Sequence, residues 1–305
     1  MDRVNSRTEP GDEAHAGERR APLARAGAAT WVLVACVSAC VVGAGCANLG
    51  QRIERGTSPL GDPPDVETIL RDLAANDAAV QNFKATGAFT LESPEFEAVK
   101  VFKLGRIFFR RPDELCVEGR KYGGSTVFRL TCVGSQFLIE FPASRDDPYY
   151  QLEGEQFDSV PFSVSPSDIA REMFFPEAWA DIKPRKVRVT HQPDDGSVVL
   201  EIPRRSYRRR LVVVGPPWDV VRSERLDKPG RVVAVTSKRD YRIEDGVRFP
   251  AYIDVHFPGE QTRMTFTIRR VFVNTELDDA DFDIEARARE AGLDPARPTA
   301  PRTQP

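Results

Sequence analysis

Residues 251–273 read AYIDVHFPGEQTRMTFTIRRVFV. Two alternating runs, Ala251–Phe257 and Arg263–Val273, flank Pro258-Gly259-Glu260. A period of two interrupted by Pro and Gly is the pattern of an antiparallel hairpin with one buried face. Met264, Phe266 and Ile268 share one side of its second strand. Toward the N-terminus the same period recurs at Val232–Tyr241, Val220–Leu226, Leu211–Val214, Val198–Pro203 and Arg185–His191. An earlier series comprises Ala85–Leu91, Ala98–Leu104, Arg106–Arg110, Leu115–Lys121, Thr126–Val133 and Gln136–Phe141, with Gly123-Gly124 and Gly134-Ser135 as turns.

Two stretches break the pattern. Val66, Ile69, Leu70, Leu73, Val80 and Phe83 recur at helical spacing after Asp65, a residue suited to cap a helix. Ser165-Pro166-Ser167-Asp168 has the form of a helix start, and Ile169, Ala170, Met173 and Phe174 follow as a short apolar stripe. No strand-helix alternation is present. The expected fold is mainly β (α+β): a curved, half-closed antiparallel β-barrel of about eleven strands, with an N-terminal helix and a short internal helix packed on or in it.

The chain has 305 residues, of which 41% are hydrophobic and 29% charged, enough to build a core. A formal net charge of -3 gives no reason to expect nucleic acid as a partner. Three histidines leave little material for a His-rich metal site or a His-based triad. No Gly-rich phosphate loop, GxSxG elbow, HExxH or CxxC occurs, so the expectation is a protein that is not an enzyme, with no catalytic residues, cofactor or metal.

The long apolar run, Ala26 to Ala47, follows Arg19, Arg20 and Arg25, as in an export signal. It contains Cys36, Cys40 and Cys46, each after a small residue, the layout of a bacterial lipobox. Val37-Ser38-Ala39-Cys40 fits that box by letter, as does Leu33-Val34-Ala35-Cys36. Gly43-Ala44-Gly45-Cys46 fits by position, because polar sequence follows only there. Cys46 is the expected lipid attachment and Cys40 the alternative. A retained single-span anchor is the competing reading of the run. The expected division is a signal peptide with lipobox at 1–45, a flexible tether at 46–64, the β domain at 65–286 and a disordered Pro-rich tail at 287–305.

Several short motifs follow in a fixed order: Lys84-Ala85-Thr86-Gly87, Phe109-Arg110-Arg111-Pro112-Asp113-Glu114-Leu115, Phe128-Arg129-Leu130, Gly134-Ser135-Gln136-Phe137, Tyr149-Tyr150, Arg248-Phe249-Pro250, and Val273 through Phe282 (VNTELDDADF). In this order they resemble the LolA/LolB-like group of periplasmic lipoprotein carriers and receptors. The resemblance implies a half-open barrel, lidded by helices, around an apolar cavity for acyl chains. It implies a periplasm-facing lipoprotein of the bacterial envelope, at the outer membrane, anchored by its lipid and monomeric, with an acyl chain or a lipoprotein as cargo. The alternative is a non-catalytic envelope-assembly or sensor lipoprotein that uses the same fold to bind a partner protein.

Strand alternation nominates Phe89, Leu91, Phe128, Leu130, Phe137, Ile139, Met264, Phe266 and Ile268 as cavity-lining residues; a filled core would use the same side chains. Cys116 and Cys132 flank the Gly123-Gly124 turn and are candidates for a disulfide. A three-residue loop would set them opposite each other, whereas a two-residue loop sets Cys116 opposite Thr131. Face parity separates them, since Cys132 alternates with Phe128 and Leu130 and Cys116 with Glu114 and Glu118. Arg204, Arg205, Arg208, Arg209 and Arg210 read either as a contact for anionic headgroups or as a solvated hairpin tip. Asp278, Asp279, Asp281 and Asp283 lack the Gly and Glu of a calcium loop.

Overall fold

The computed structural model describes residues 51–52, 65–94, 99–142, 149–151, 164, 166–174, 179–192 and 194–294. The signal, Cys40, Cys46 and most of the tether lie outside them, as do residues 295–305. Residues from Leu49 onward form one compact unit, separate from Met1–Asn48. Among the described residues its hydrophobic clusters are all drawn from Val66 to Leu293, so this unit carries its own core.

The elements are β1 (Gln51–Arg52), α1 (Val66–Ala78), β2 (Asn82–Glu92), β3 (Lys100–Arg110), β4 (Glu114–Arg120), β5 (Thr126–Val133), β6 (Gln136–Glu140), β7 (Tyr149–Gln151), α2 (Pro166–Phe174), β8 (Arg188–Gln192), β9 (Ser197–Pro203), β10 (Arg208–Val214), β11 (Asp219–Leu226), β12 (Val232–Glu244), β13 (Val247–Phe257), β14 (Thr262–Val273) and α3 (Ile284–Glu290). All the strands belong to one antiparallel sheet. Its order is β7-β6-β5-β4-β3-β2-β14-β13-β12-β11-β10-β9-β8, with β1 added on β12. Among the described residues the count is fourteen, against about eleven expected. The short β1 and β7 carry too little sequence to show a period. β7 and β8 are the two ends of the order, so the sheet is not closed.

Its curvature follows from what α2 touches. The helix contacts β5 and β6 on one side and β12 and β13 on the other. Six strand spacings separate β5 from β12 in the sheet order. At about 4.8 Å each, a flat sheet would hold them nearly 30 Å apart, while a helix is only about 10 Å across. The sheet must curl around α2. Ile169, Met173 and Phe174 of α2 pack into the concave face with Phe83, Phe109, Leu130 and Phe249. Phe174 lies 5.1 Å from Phe83 between ring centroids. On the same face α1 lays Ile69, Leu70 and Leu73 over Val198, Leu200, Leu211 and Val213 of β9 and β10.

Asp65 caps α1 as expected, its carboxylate accepting from Thr68 N at 3.2 Å. Val80 and Phe83 share the helical spacing, but α1 ends at Ala78 and Phe83 belongs to β2. Both point into the core, so the apolar spacing of α1 carries on past its end.

The expected domain end at residue 286 falls inside α3, and the described residues continue to 294. Asp283 caps α3 by accepting from Ala286 N at 2.9 Å. Ile284 and Ala288 pack on Leu138, and Phe282 packs on Phe108 and Cys116. The C-terminal segment therefore covers the convex face of β3 to β6. Both faces of these strands are buried there, as β4 shows with five consecutive buried residues.

Gly87 sits where β2 shifts register against both neighbours. A Cβ there would lie 2.1 Å from the Thr267 carbonyl oxygen, so only glycine permits this approach of β2 to β14. Gly87→Ala is expected to cost about 2–3 kcal/mol through forced separation of the two strands, read as a lower urea midpoint.

Candidate functional site

A cavity of about 90 Å³ opens on the concave side where the two main apolar clusters meet. Its wall takes Leu73, Asn76 and Asp77 from α1, Met173 and Phe174 from α2, and Trp179. The sheet supplies Phe83 from β2, Asp219 and Val220 from β11, Lys238 and Tyr241 from β12, and Arg248, Phe249 and Ile253 from β13. Trp218 completes it just before β11.

The polar residues of this wall are mostly held by one another. Arg248 reaches Asp72 at 2.8 Å and Asp219 at 3.0 Å, and donates to the Trp218 carbonyl at 2.9 Å. Asn76 closes two hydrogen bonds with the Arg248 backbone, at 2.8 and 3.1 Å. Arg111 pairs with Asp77 at 2.8 Å and donates to the Val80 and Asp77 carbonyls at 2.6 and 2.9 Å, capping the end of α1. Burial raises the Asp77 carboxyl above its usual range, with Arg111 opposing. Lys238 is a different case. It is only 9% exposed, and burial pushes its ammonium down to about 8, against the attraction of Asp77 and Glu172 and with help from Arg209.

A second charged group holds α2. Glu172 and Arg209 are each 1% exposed and paired to each other, with Arg209 also donating to Ser223 at 3.3 Å. Arg225 stands 3.4 Å from Glu172 and 3.2 Å from Asp168. Thr236 donates to the Glu172 carbonyl at 3.1 Å. The arginine run thus divides. Arg209 points inward, in alternation with Leu211 and Val213, and Arg210 points outward to Glu201 and Glu224. Neither a headgroup contact nor a solvated tip describes Arg209. The alternation was the available signal, and the density of arginine hid it.

The nine nominated residues, Phe89, Leu91, Phe128, Leu130, Phe137, Ile139, Met264, Phe266 and Ile268, do come together on the concave face. All are at most 3% exposed, and none of them borders the cavity. They form packed interior, with Phe89 stacked on Phe102 and Phe266 at 4.4 and 5.2 Å between centroids. The cavity lies beside them and shares Phe83, Met173, Phe174, Phe249 and Ile253 with the same cluster. Sequence parity could nominate the face. It could not locate a gap created by two helices meeting over it.

Cys116 and Cys132 are free thiols. Cys116 pairs across the strands with Thr131, and Cys132 with Leu115, so the two lie on opposite faces and no disulfide joins them. Burial pushes the Cys116 thiol up to about 12, and burial raises Cys132 as well. Phe282 covers Cys116. Phe282→Ala is expected to speed labelling of Cys116 by a maleimide several-fold and leave Cys132 silent, as read by mass spectrometry of the labelled peptides.

The motifs behind the family resemblance act as clamps. Arg110 pairs with Glu114 and Asp279. Asn274 accepts from Gln81 N and donates to the Ala79 carbonyl, both at 2.8 Å. Asp278 caps a short turn by accepting from Ala280 N at 3.0 Å. Among the described residues no acid or cysteine group is arranged to hold a metal.

Fold and site together define a half-open antiparallel barrel with helices on its concave face. No protein-family model and no curated protein matches the chain. Solved structures similar to it include a DUF1329 family protein from Desulfovibrio piger, 15% identical, TM-score 0.48, covering 73% of this chain and 99% of that one. They also include a LolA superfamily protein from Nitrosomonas europaea, 13% identical, TM-score 0.47, covering 73% and 100%. The MucA/MucB complex of Pseudomonas aeruginosa is similar at 15% identity, TM-score 0.26, covering 73% and 62%.

Proposed function

We propose that this protein is a non-catalytic, lipid-anchored carrier or receptor of the bacterial envelope, facing the periplasm at the outer membrane, that accepts an acyl chain or the acyl part of a lipoprotein on its concave face. The observation that carries this reading is the occupancy of that face. A sheet curled around one short helix leaves a trough whose apolar lining is filled by Ile169, Met173 and Phe174. An acyl chain that replaces those side chains returns about 0.8 kcal/mol for each methylene moved from water into the trough, which offsets part of the cost of displacing α2. The nine packed residues named above become the walls of the trough once α2 withdraws.

Cys46 holds the receiver at the membrane, with Cys40 as the alternative. Loss of alkyne fatty-acid labelling in Cys46→Ser tests this; loss in Cys40→Ser alone would reassign it. For the cargo, native mass spectrometry of residues 49–305 purified from cells is expected to show co-purified lipid, or uptake of a fluorescent fatty acid. A domain that emerges empty and takes up none would sink the reading.

A second reading, a sensor or assembly lipoprotein that binds a partner protein, is favoured by one feature. Among the described residues β8 pairs only with β9, and its exposed residues alternate with half-buried ones. Such an edge accepts an added strand. Thr190→Pro would block that addition and leave fatty-acid uptake intact.

A further inference from the structure

Lys238 lies on the inward side of β12, in alternation with the buried Ala234 and Thr236, and borders the cavity. It makes no hydrogen bond or ion pair with the described residues, although Asp77 and Asp219 line the cavity, Glu172 lies within electrostatic reach and Asp72 stands behind Arg248. Each of those is already engaged: Asp77 by Arg111, Glu172 by Arg209 and Arg225, Asp219 and Asp72 by Arg248. A buried ammonium with no partner of its own is costly unless an anion enters beside it. The other polar residues of the wall, among them Asn76, Asp77, Asp219 and Arg248, are held by one another or by Arg111, and the rest is mainly apolar. Phe83, Phe174 and Phe249 belong both to the cavity and to the cluster that lines the trough. The site therefore has a cationic end and an apolar exit.

We propose that Lys238 binds the carboxylate of a long-chain fatty acid, whose tail leaves the cavity past Phe174 and runs along the concave face. This rests on the acyl-binding reading and narrows it. An acyl chain held in an ester or amide offers Lys238 no charge, so among acyl ligands the free acid is favoured. The size agrees with a headgroup site. At about 90 Å³ the cavity is smaller than the roughly 150 Å³ space that admits benzene, so it takes a carboxylate and the first methylenes. The rest of the chain needs Met173 and Phe174 to yield.

Residues 49–305, which carry their own core, are titrated with palmitate, methyl palmitate and acetate. Tryptophan fluorescence reports, since Trp179 and Trp218 border the cavity. Palmitate is expected to bind at least tenfold more tightly than methyl palmitate. Lys238→Met should abolish that preference by weakening palmitate alone, and Lys238→Arg should restore most of it. The assignment is overturned if the two ligands bind the wild type equally, or if Lys238→Met holds palmitate as tightly. In either case binding of methyl palmitate leaves the acyl reading standing. If no chain of either kind binds, both fall together. Tight binding of acetate would recast the site as one for small anions and overturn the fatty-acid assignment.

Discussion

Glu172→Ala is expected to lower the stability of the β domain by about 3–5 kcal/mol while raising the rate at which the folded fraction takes up a fluorescent fatty acid. The argument begins with Arg209, whose guanidinium is 1% exposed on the concave side of β10. Its carboxylate partner comes from α2, not from the sheet. Removing Glu172 leaves Arg209 buried without its paired carboxylate, and a charge left in that state costs far more than the pair contributes. The same carboxylate faces Arg225 at 3.4 Å, so the loss is felt on β11 as well. Replacing both members, Glu172→Leu with Arg209→Met, should recover most of the stability, since a buried pair is worth little against apolar residues of similar volume. Urea denaturation of the single and double variants separates the cases. If Glu172→Ala costs less than about 1 kcal/mol, then packing of Ile169, Met173 and Phe174 holds α2, and the ion pair does not gate the trough.

The hairpin of β13 and β14 was legible in the sequence because one of its faces is buried and the other wet, which writes the period of two directly. β13 begins earlier than alternation suggested, at Val247, after the turn made by Asp245 and Gly246 with φ of 50° and 80°. That Asp-Gly pair is a hairpin signal in its own right. Face parity correctly separated Cys116 from Cys132, where loop counting left two registers open. α3 was hidden by its composition. IEARARE offers only Ile284 and Ala288 to the sheet, four residues apart, and a polar run with two small contacts resembles a tail. Arg209 and Lys238 were hidden for a related reason. Lys238 occupies an inward position in a strand whose alternation was legible, and Arg209 an inward position in the part of β10 before Leu211, where the arginine run reads as a connection; a charged residue does not suggest an inward one. The cavity was not legible at all. It depends on where α1 and α2 meet over β12 and β13, and that is set by long-range clamps such as Asn76 with Arg248 and Arg111 with Asp77.

Lys238→Met should make the unliganded domain more stable at pH 7, by about 3 kcal/mol. Burial lowers the folded-state lysine to about 8, whereas an unfolded one titrates near 10.5. Between those values the unfolded chain holds a proton that the folded chain has released, so wild-type stability rises with pH across that window relative to the variant. Below about 8 the full cost of the buried charge is present, and by 10.5 it has gone. The advantage of Lys238→Met should therefore be constant to near pH 8 and vanish by 10.5. Taking the difference between two chains cancels the opposing contribution of Cys116, whose raised thiol favours the folded state less as pH climbs past its ordinary value. Methionine is flexible and close in volume to the lysine stem, so little packing is lost. Palmitate then provides a further test. At 100 times its dissociation constant a ligand adds about 2.7 kcal/mol to the state it binds, and tenfold weaker binding adds only about 1.4 kcal/mol. Saturating fatty acid should narrow the gap between the variant and the wild type by the difference. A gap that stays constant with ligand would mean that the cost of Lys238 is unrelated to binding. A variant less stable than the wild type at pH 7 would mean that the ammonium finds its counter-charge within the fold.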